Sequence, residues 1–140
     1  MVTHHLLTPR EADAVSSDEP APLPGHITGI GGVFFRARDR AELSAWYQDV
    51  LGLPVTDSAT AKMGHTVWAA FDQATDYFGP SRQPYMVNYR VDDLDAALRR
   101  LRDAGASIAP QIEEDDYGRF AWAVDPEGNR FELWQPAPGR

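Results

Sequence analysis

A carboxylate two residues from an indole is the first arrangement in this chain that can do chemistry. In the run 130–134 (RFELW), strand alternation puts Glu132 and Trp134 on one face and Phe131 and Leu133 on the other. A carboxylate beside a Trp is partly desolvated, which raises its proton affinity. It can then act as a general base or pair with a cationic ligand. A structural role, in an ion pair with Arg36 or Arg90, is the competing reading. Those two arginines occupy matching positions in two similar strand-like runs. Converging, they can hold a carboxylate or phosphate; held apart, they pair with nearby acids, and the second reading is preferred. The run 113–116 (EEDD) reads as a solvated loop or as a lip that attracts cations. His4-His5 reads as solvated rather than as a metal site, and lone histidines such as His26 and His65 are more often surface or core residues than ligands. The absence of cysteine removes disulfides, thiolate metal sites and thiol nucleophiles.

Composition narrows the classes. The chain has 140 residues, 43% of them hydrophobic, enough for one domain or two small modules sharing a core. Thirteen basic against 21 acidic side chains leave a charge of −8, with one lysine (Lys62) and scattered arginines, which argues against nucleic acid. No apolar run is long enough for a membrane span or a signal peptide, so a cytoplasmic protein is expected. Residues 1–26 hold four prolines, no aromatic residue, and four acids against Arg10. That segment cannot bury enough apolar surface to offset its ordering entropy, and it reads as a flexible extension. A single domain is expected over residues 27–140.

From residue 27 the punctuation is regular. Residues 33–37 (VFFRA) read as a strand, and Asp39 with Glu42 as a capping box opening a helix over 41–51. Leu43, Trp46, Tyr47, Val50 and Leu51 form its stripe, and Gly52 with Pro54 ends it. Strands follow at 66–71 and 76–78. Then the order repeats: a strand at 86–91, a helix capped by Asp92 with Leu94, Leu98 and Leu101 inward, Gly105, and strands at 108–112, 120–124 and 130–134. Arg36 matches Arg90 and Asp39 matches Asp93 at an offset of 54. Gly52 matches Gly105, Asp72 matches Asp125 and Phe78 matches Phe131 at 53. The chain therefore reads as an internal duplication, with modules of about 27–82 and 83–136 that only together bury a sheet face.

Three segments carry a family resemblance: GIGGVFFRARDRAELSAWYQDVLGL from Gly29, YMVNYRVDDLDAALRRLRDAG from Tyr85, and DPEGNRFELW from Asp125. In this order they resemble the vicinal oxygen chelate superfamily, which includes glyoxalase I, bleomycin-resistance proteins and extradiol dioxygenases. The resemblance implies an α+β fold of paired βαβββ modules, eight strands forming one curved mixed sheet around a small-molecule cleft, and homodimers. In metal-using relatives the cleft holds a divalent ion on the first and last strand of each module. Those positions fall here on Gly32, Gly79 (from Glu132 by the offset of 53), Met86 and Glu132. Such a set lacks the roughly three N or O ligands that a hard or borderline ion needs, so no metal or other cofactor is expected.

On this reading Gly32, Phe34, Arg36, Trp68, Tyr77, Gly79, Met86, Asn88, Arg90, Glu132 and Trp134 line the cleft. Aromatic walls with a few polar groups suit a flat organic ligand, and Asn88 can orient it. Trp46 and Tyr47 belong to helix packing. Three functions stay open. One is a metal-free protein that sequesters or carries a small aromatic or cationic compound, as bleomycin-resistance proteins do. The second is a lyase, isomerase or dioxygenase-type enzyme, with an atypical metal site or Glu132 as base. The third is an interaction module with a vestigial cleft. The first is favoured.

Overall fold

The computed structural model describes residues 24–57 and 59–139. His4-His5 and most of the expected extension lie outside the described residues. Its last part, residues 24–26, is described: the Gly25 N–H donates to Asp92 Oδ1 at 2.8 Å and Arg100 Nε to the Pro24 carbonyl at 3.4 Å.

The first module comprises strand β1 (Ile27–Ala37), helix α1 (Arg40–Leu51), and strands β2 (Val55–Asp57), β3 (Thr60–Met63) and β4 (Thr66–Asp72). The second comprises β5 (Tyr85–Val91), helix α2 (Leu94–Asp103), β6 (Ser107–Ile108), β7 (Glu113–Asp115), β8 (Gly118–Val124) and β9 (Arg130–Pro136). One sheet of nine strands results, ordered β2-β3-β4-β1-β5-β9-β8-β6, with β7 paired to β8. Antiparallel pairing of β1 with β5 joins the modules within one chain, and each module repeats a parallel pair, β1 with β4 and β5 with β9.

Helix starts follow the local chemistry. Asp39 caps α1 by accepting from the Glu42 N–H at 2.9 Å. At the second helix the cap is Asp93, not Asp92, because Asp93 accepts from Ala96 N while Asp92 receives Gly25. Helix α2 buries Leu94, Ala97 and Leu98 against Val91, Ala121 and Leu133. Each large apolar side chain so removed from water contributes about 1.5–3 kcal/mol. Helix α1 buries less of its stripe: Leu43 and Tyr47 pack inward, while Trp46, Val50 and Leu51 are exposed.

Two expected strands and one expected loop differ. Residues 76–78 form turns rather than a strand, and the stretch 108–112 pairs only at Ser107–Ile108. The acidic run is no loop: Glu113–Asp115 pairs antiparallel with β8, its side chains exposed. The short β2 and β3 hairpin carried no clear alternation.

Cross-strand pairing fixes the faces. Val33 and Phe35 pair with Val87 and Tyr85, so both helices cover one face of the sheet. Phe34 and Gly32 pair with Met86 and Asn88 on the opposite, helix-free face, called here the inner face.

Candidate functional site

Register brings three strands to one point on the inner face. Asn88 of β5 and Trp122 of β8 both pair with Glu132 of β9, so the three side chains stand abreast. Glu132 is fully buried. Asn88 Nδ2 donates to its Oε1 at 2.5 Å, and Trp122 Nε1 donates to Oε2 at 2.8 Å. The fourth member comes from outside the sheet: Tyr77, on the β4–β5 connection, donates its hydroxyl to Oε2 at 2.5 Å. Neither Arg36 nor Arg90 pairs with this carboxylate, so the expected ion pair gives way to three neutral donors.

The electrostatics follow from that enclosure. Burial pushes the Glu132 carboxyl above its ordinary range, while the donors from Tyr77, Asn88 and Trp122 pull the other way. Burial, then the Glu132 charge beside it, pushes the Tyr77 phenol far up, so it stays a donor. Asn88 Oδ1 is buried without a hydrogen-bond partner. It lies under the bulge at Gly31, where a Cβ would strike it and the Trp134 ring. Glycine at 31 is thus required by close approach.

Arg36 has a different task from the one expected. Its guanidinium donates to the carbonyls of Gln83, Gln73, Thr75 and Ser81 at 2.8–3.0 Å and stands 4.8 Å over the Phe78 ring. It therefore shapes the segment 73–83, which delivers Tyr77. Arg90 donates to the His65 carbonyl and pairs opposite Gly29, at the far end of β1 from Arg36. The two arginines do not converge, and both serve backbone carbonyls rather than acids.

The inner face is filled with rings. Tyr77 stacks on Phe71 (5.0 Å, 16°) and meets Trp122 edge-on (5.9 Å, 89°) and Phe34 at 6.2 Å. Phe78 and Met86 complete the cluster. Trp134 stacks on Phe120 (5.9 Å, 3°) and donates to the Tyr117 carbonyl. Trp68 is not a liner. It faces α1, against Tyr47 and Phe35, because Val67, Ala69 and Phe71 are the alternate residues of β4 that face inward.

Comparison with known proteins places this arrangement. Residues 32–134, more than half of the chain, match the family model of the glyoxalase-like domain. The chain belongs to the glyoxalase-like family. Methylmalonyl-CoA epimerase from Mycobacterium tuberculosis shares the fold, with a TM-score of 0.58 and 22% identity, covering 80% of this chain and 90% of that one. So does a glyoxalase/bleomycin resistance protein/dioxygenase superfamily member from Vibrio splendidus 12B01, with a TM-score of 0.54 and 15% identity, covering 75% and 96%. The anthracycline biosynthesis protein DauV of Streptomyces sp. (strain C5) is 26% identical over 121 residues, 82% of this chain and 44% of its own length. The chain therefore spans less than half of that curated relative. Among the described residues, no helix of this glyoxalase-like protein is long and apolar enough to cross a membrane.

The two modules also correct the alignment of the expected metal positions. Phe34 and Asn88 are equivalent at the offset of 54 set by the caps Asp39 and Asp93. Phe34 pairs with Ala69, and Asn88 with Glu132. Ala69, not Gly79, is thus the counterpart of Glu132, and the offset there is 63. The second module has ten more residues between helix and last strand, which contain β7. Gly79 lies on no strand; its φ of +69° belongs to a turn packed against Arg130. With Gly32, Ala69 and Met86 at the other positions, Glu132 is the one oxygen ligand of the set. Both its oxygens face N–H or O–H donors, which repel a cation. These residues do not fit a divalent ion. No cluster of three or more His, Asp or Glu placed to hold a metal occurs among the described residues.

Trp122, Phe71 and Phe78 belong to the site and were not foreseen. Alternation within residues 118–124 does put Phe120 and Trp122 on one face, a usable signal. No local signal points to Phe78, which arrives from a turn.

Proposed function

We propose that this glyoxalase-like protein binds a flat, hydroxylated aromatic molecule on the inner face of its sheet, without a metal ion, and sequesters or carries it. The observation that carries this reading is the seat of Tyr77. A phenol ring lies stacked on Phe71 between the edges of Phe34 and Trp122, with its hydroxyl on a buried carboxylate. Chemistry that holds this phenol recognises a phenolic ligand equally, once the segment 73–83 swings aside. Neutral donors around Glu132 favour a hydroxyl over the cationic ligand also considered. The name of the relative DauV points to anthracycline biosynthesis, and anthracyclines are flat, hydroxylated polyaromatics. With a ligand hydroxyl in place of Tyr77, Asn88 and Trp122 still donate to Glu132 and weaken it as a base, which supports binding over catalysis. A cytoplasmic homodimer is part of the same proposal.

The test is titration of the full chain with 1-hydroxyanthraquinone and with anthraquinone, read by tryptophan fluorescence and by amide exchange over residues 73–83. Binding of the hydroxylated ring alone, with faster exchange in that segment, is expected. Equal affinity for both rings, or none at solubility, overturns the reading. Native mass spectrometry of untagged protein reports subunit number and bound mass together, and stoichiometric metal there overturns the metal-free part.

A further inference from the structure

One cation on the inner face lacks a counter-charge. Arg130 shares the face of Glu132, two residues earlier on β9, and its guanidinium lies 5.6 Å from the centroid of the Trp122 ring. Its Nε is buried with no hydrogen-bond partner. Among the described residues the ion pair formed is Arg119 with Asp95, and no carboxylate pairs with Arg130. A buried donor on a charged group left without a partner carries an uncompensated desolvation cost, so the protein holds this edge of the guanidinium ready at some expense. Arg130 also borders a cavity. This cavity, of about 200 Å³, runs along Ser107, Ala109, Trp122, Val124 and Arg130.

The geometry points to a carboxylate subsite at Arg130: the ligand of the inner face carries an acid group para to its hydroxyl. This inference rests on the aromatic reading above. An unpaired Nε leaves the side-on edge of the guanidinium free, and that edge matches a planar carboxylate through two parallel N–H···O bonds. The position follows from Tyr77. Its Cβ is para to its hydroxyl, and the chain leaving it reaches Gly79, where a Cβ would lie 2.6 Å from Arg130 Nη1. A ligand ring replacing the Tyr77 phenol therefore projects its para substituent towards the guanidinium. Residues two apart on a strand are separated by roughly 6.6 Å, about the span of a para-hydroxybenzoate. The 4-hydroxybenzoate skeleton thus satisfies Glu132 at one end and Arg130 at the other.

Calorimetry on the full chain tests this with 4-hydroxybenzoate against its neutral isostere 4-hydroxybenzamide. In the wild type the acid is expected to bind at least about tenfold tighter. In Arg130→Met, which keeps an apolar side chain over Trp122, the two should bind alike; circular dichroism and the melting temperature check its fold. A second measurement follows the Arg130 Nε–Hε resonance during titration with acetate. Equal binding of acid and amide by the wild type, or preference retained in Arg130→Met, overturns the subsite and leaves the aromatic reading standing. A saturable acetate shift without hydroxybenzoate binding retains the subsite and sinks the aromatic reading. Absence of both the shift and the preference overturns the subsite outright.

Discussion

Tyr77 and Glu132, 55 residues apart in the chain, meet at 2.5 Å between phenol oxygen and carboxylate. This bond ties the β4–β5 connection to the central strand of the second module. Tyr77→Phe keeps the ring stacked on Phe71 and removes one donor from a buried carboxylate. We expect a loss of about 1–3 kcal/mol in urea unfolding. A change within experimental error would mean that the ring, and not the hydroxyl, holds the segment.

Glu132 gives the stability a pH signature. Its carboxyl is raised by burial, so its favourable contribution is complete below about pH 4.3, the unfolded value, and is lost as pH rises through the higher folded value. Glu132→Gln cannot ionise. The stability of the wild type relative to this variant should therefore fall as pH goes from about 3.5 to 7. Asp95 and Asp125, held low by their own partners, act equally in both proteins and cancel. A difference that grows with pH would show that the three donors outweigh burial.

Arg36 holds four carbonyls of the segment 73–83 with one planar fork. Lysine keeps the charge but not the fork. Arg36→Lys should cost roughly 2–3 kcal/mol and raise amide exchange selectively in residues 73–83. Uniform exchange across the sheet would contradict this local role.

Gly31 sits where a Cβ would strike Asn88 Oδ1 and the Trp134 ring. Gly31→Ala forces that contact into a packed face, at an expected cost of about 1–3 kcal/mol. An alanine variant as stable as wild type would show that the bulge relaxes freely.

At the expected ligand positions divalent ions find one carboxylate, Glu132, already engaged by three donors. Zinc, nickel or manganese at about 1 mM should leave the melting temperature unmoved, since a ligand raises stability only when its concentration exceeds Kd. A saturable rise abolished in Glu132→Gln would refute the metal-free reading.

Local chemistry alone carried much of this architecture. Asp39, Gly52 and the Leu94–Leu98–Leu101 stripe mark helices because caps and periodicity act over a few residues. The repeat of Arg36 and Asp39 at Arg90 and Asp93 disclosed two modules for the same reason. Alternation placed Glu132 opposite Leu133 in orientation, as found. Pairing decided the rest. Trp68 points to α1 rather than the cleft because parity says which residues share a face, not which face a helix will cover. Ala69 rather than Gly79 stands opposite Glu132 because register is set by hydrogen bonds between strands, and the insertion containing β7 shifts the count by ten. The seat of Tyr77 depends on Arg36 gathering four carbonyls from a turn with no periodicity of its own. The sequence by itself determined both helices, the long strands and their order, because those depend on neighbours in the chain. The tertiary structure decided that the inner face closes over a phenol on Glu132, because that contact depends on side chains brought together from β5, β8, β9 and a loop.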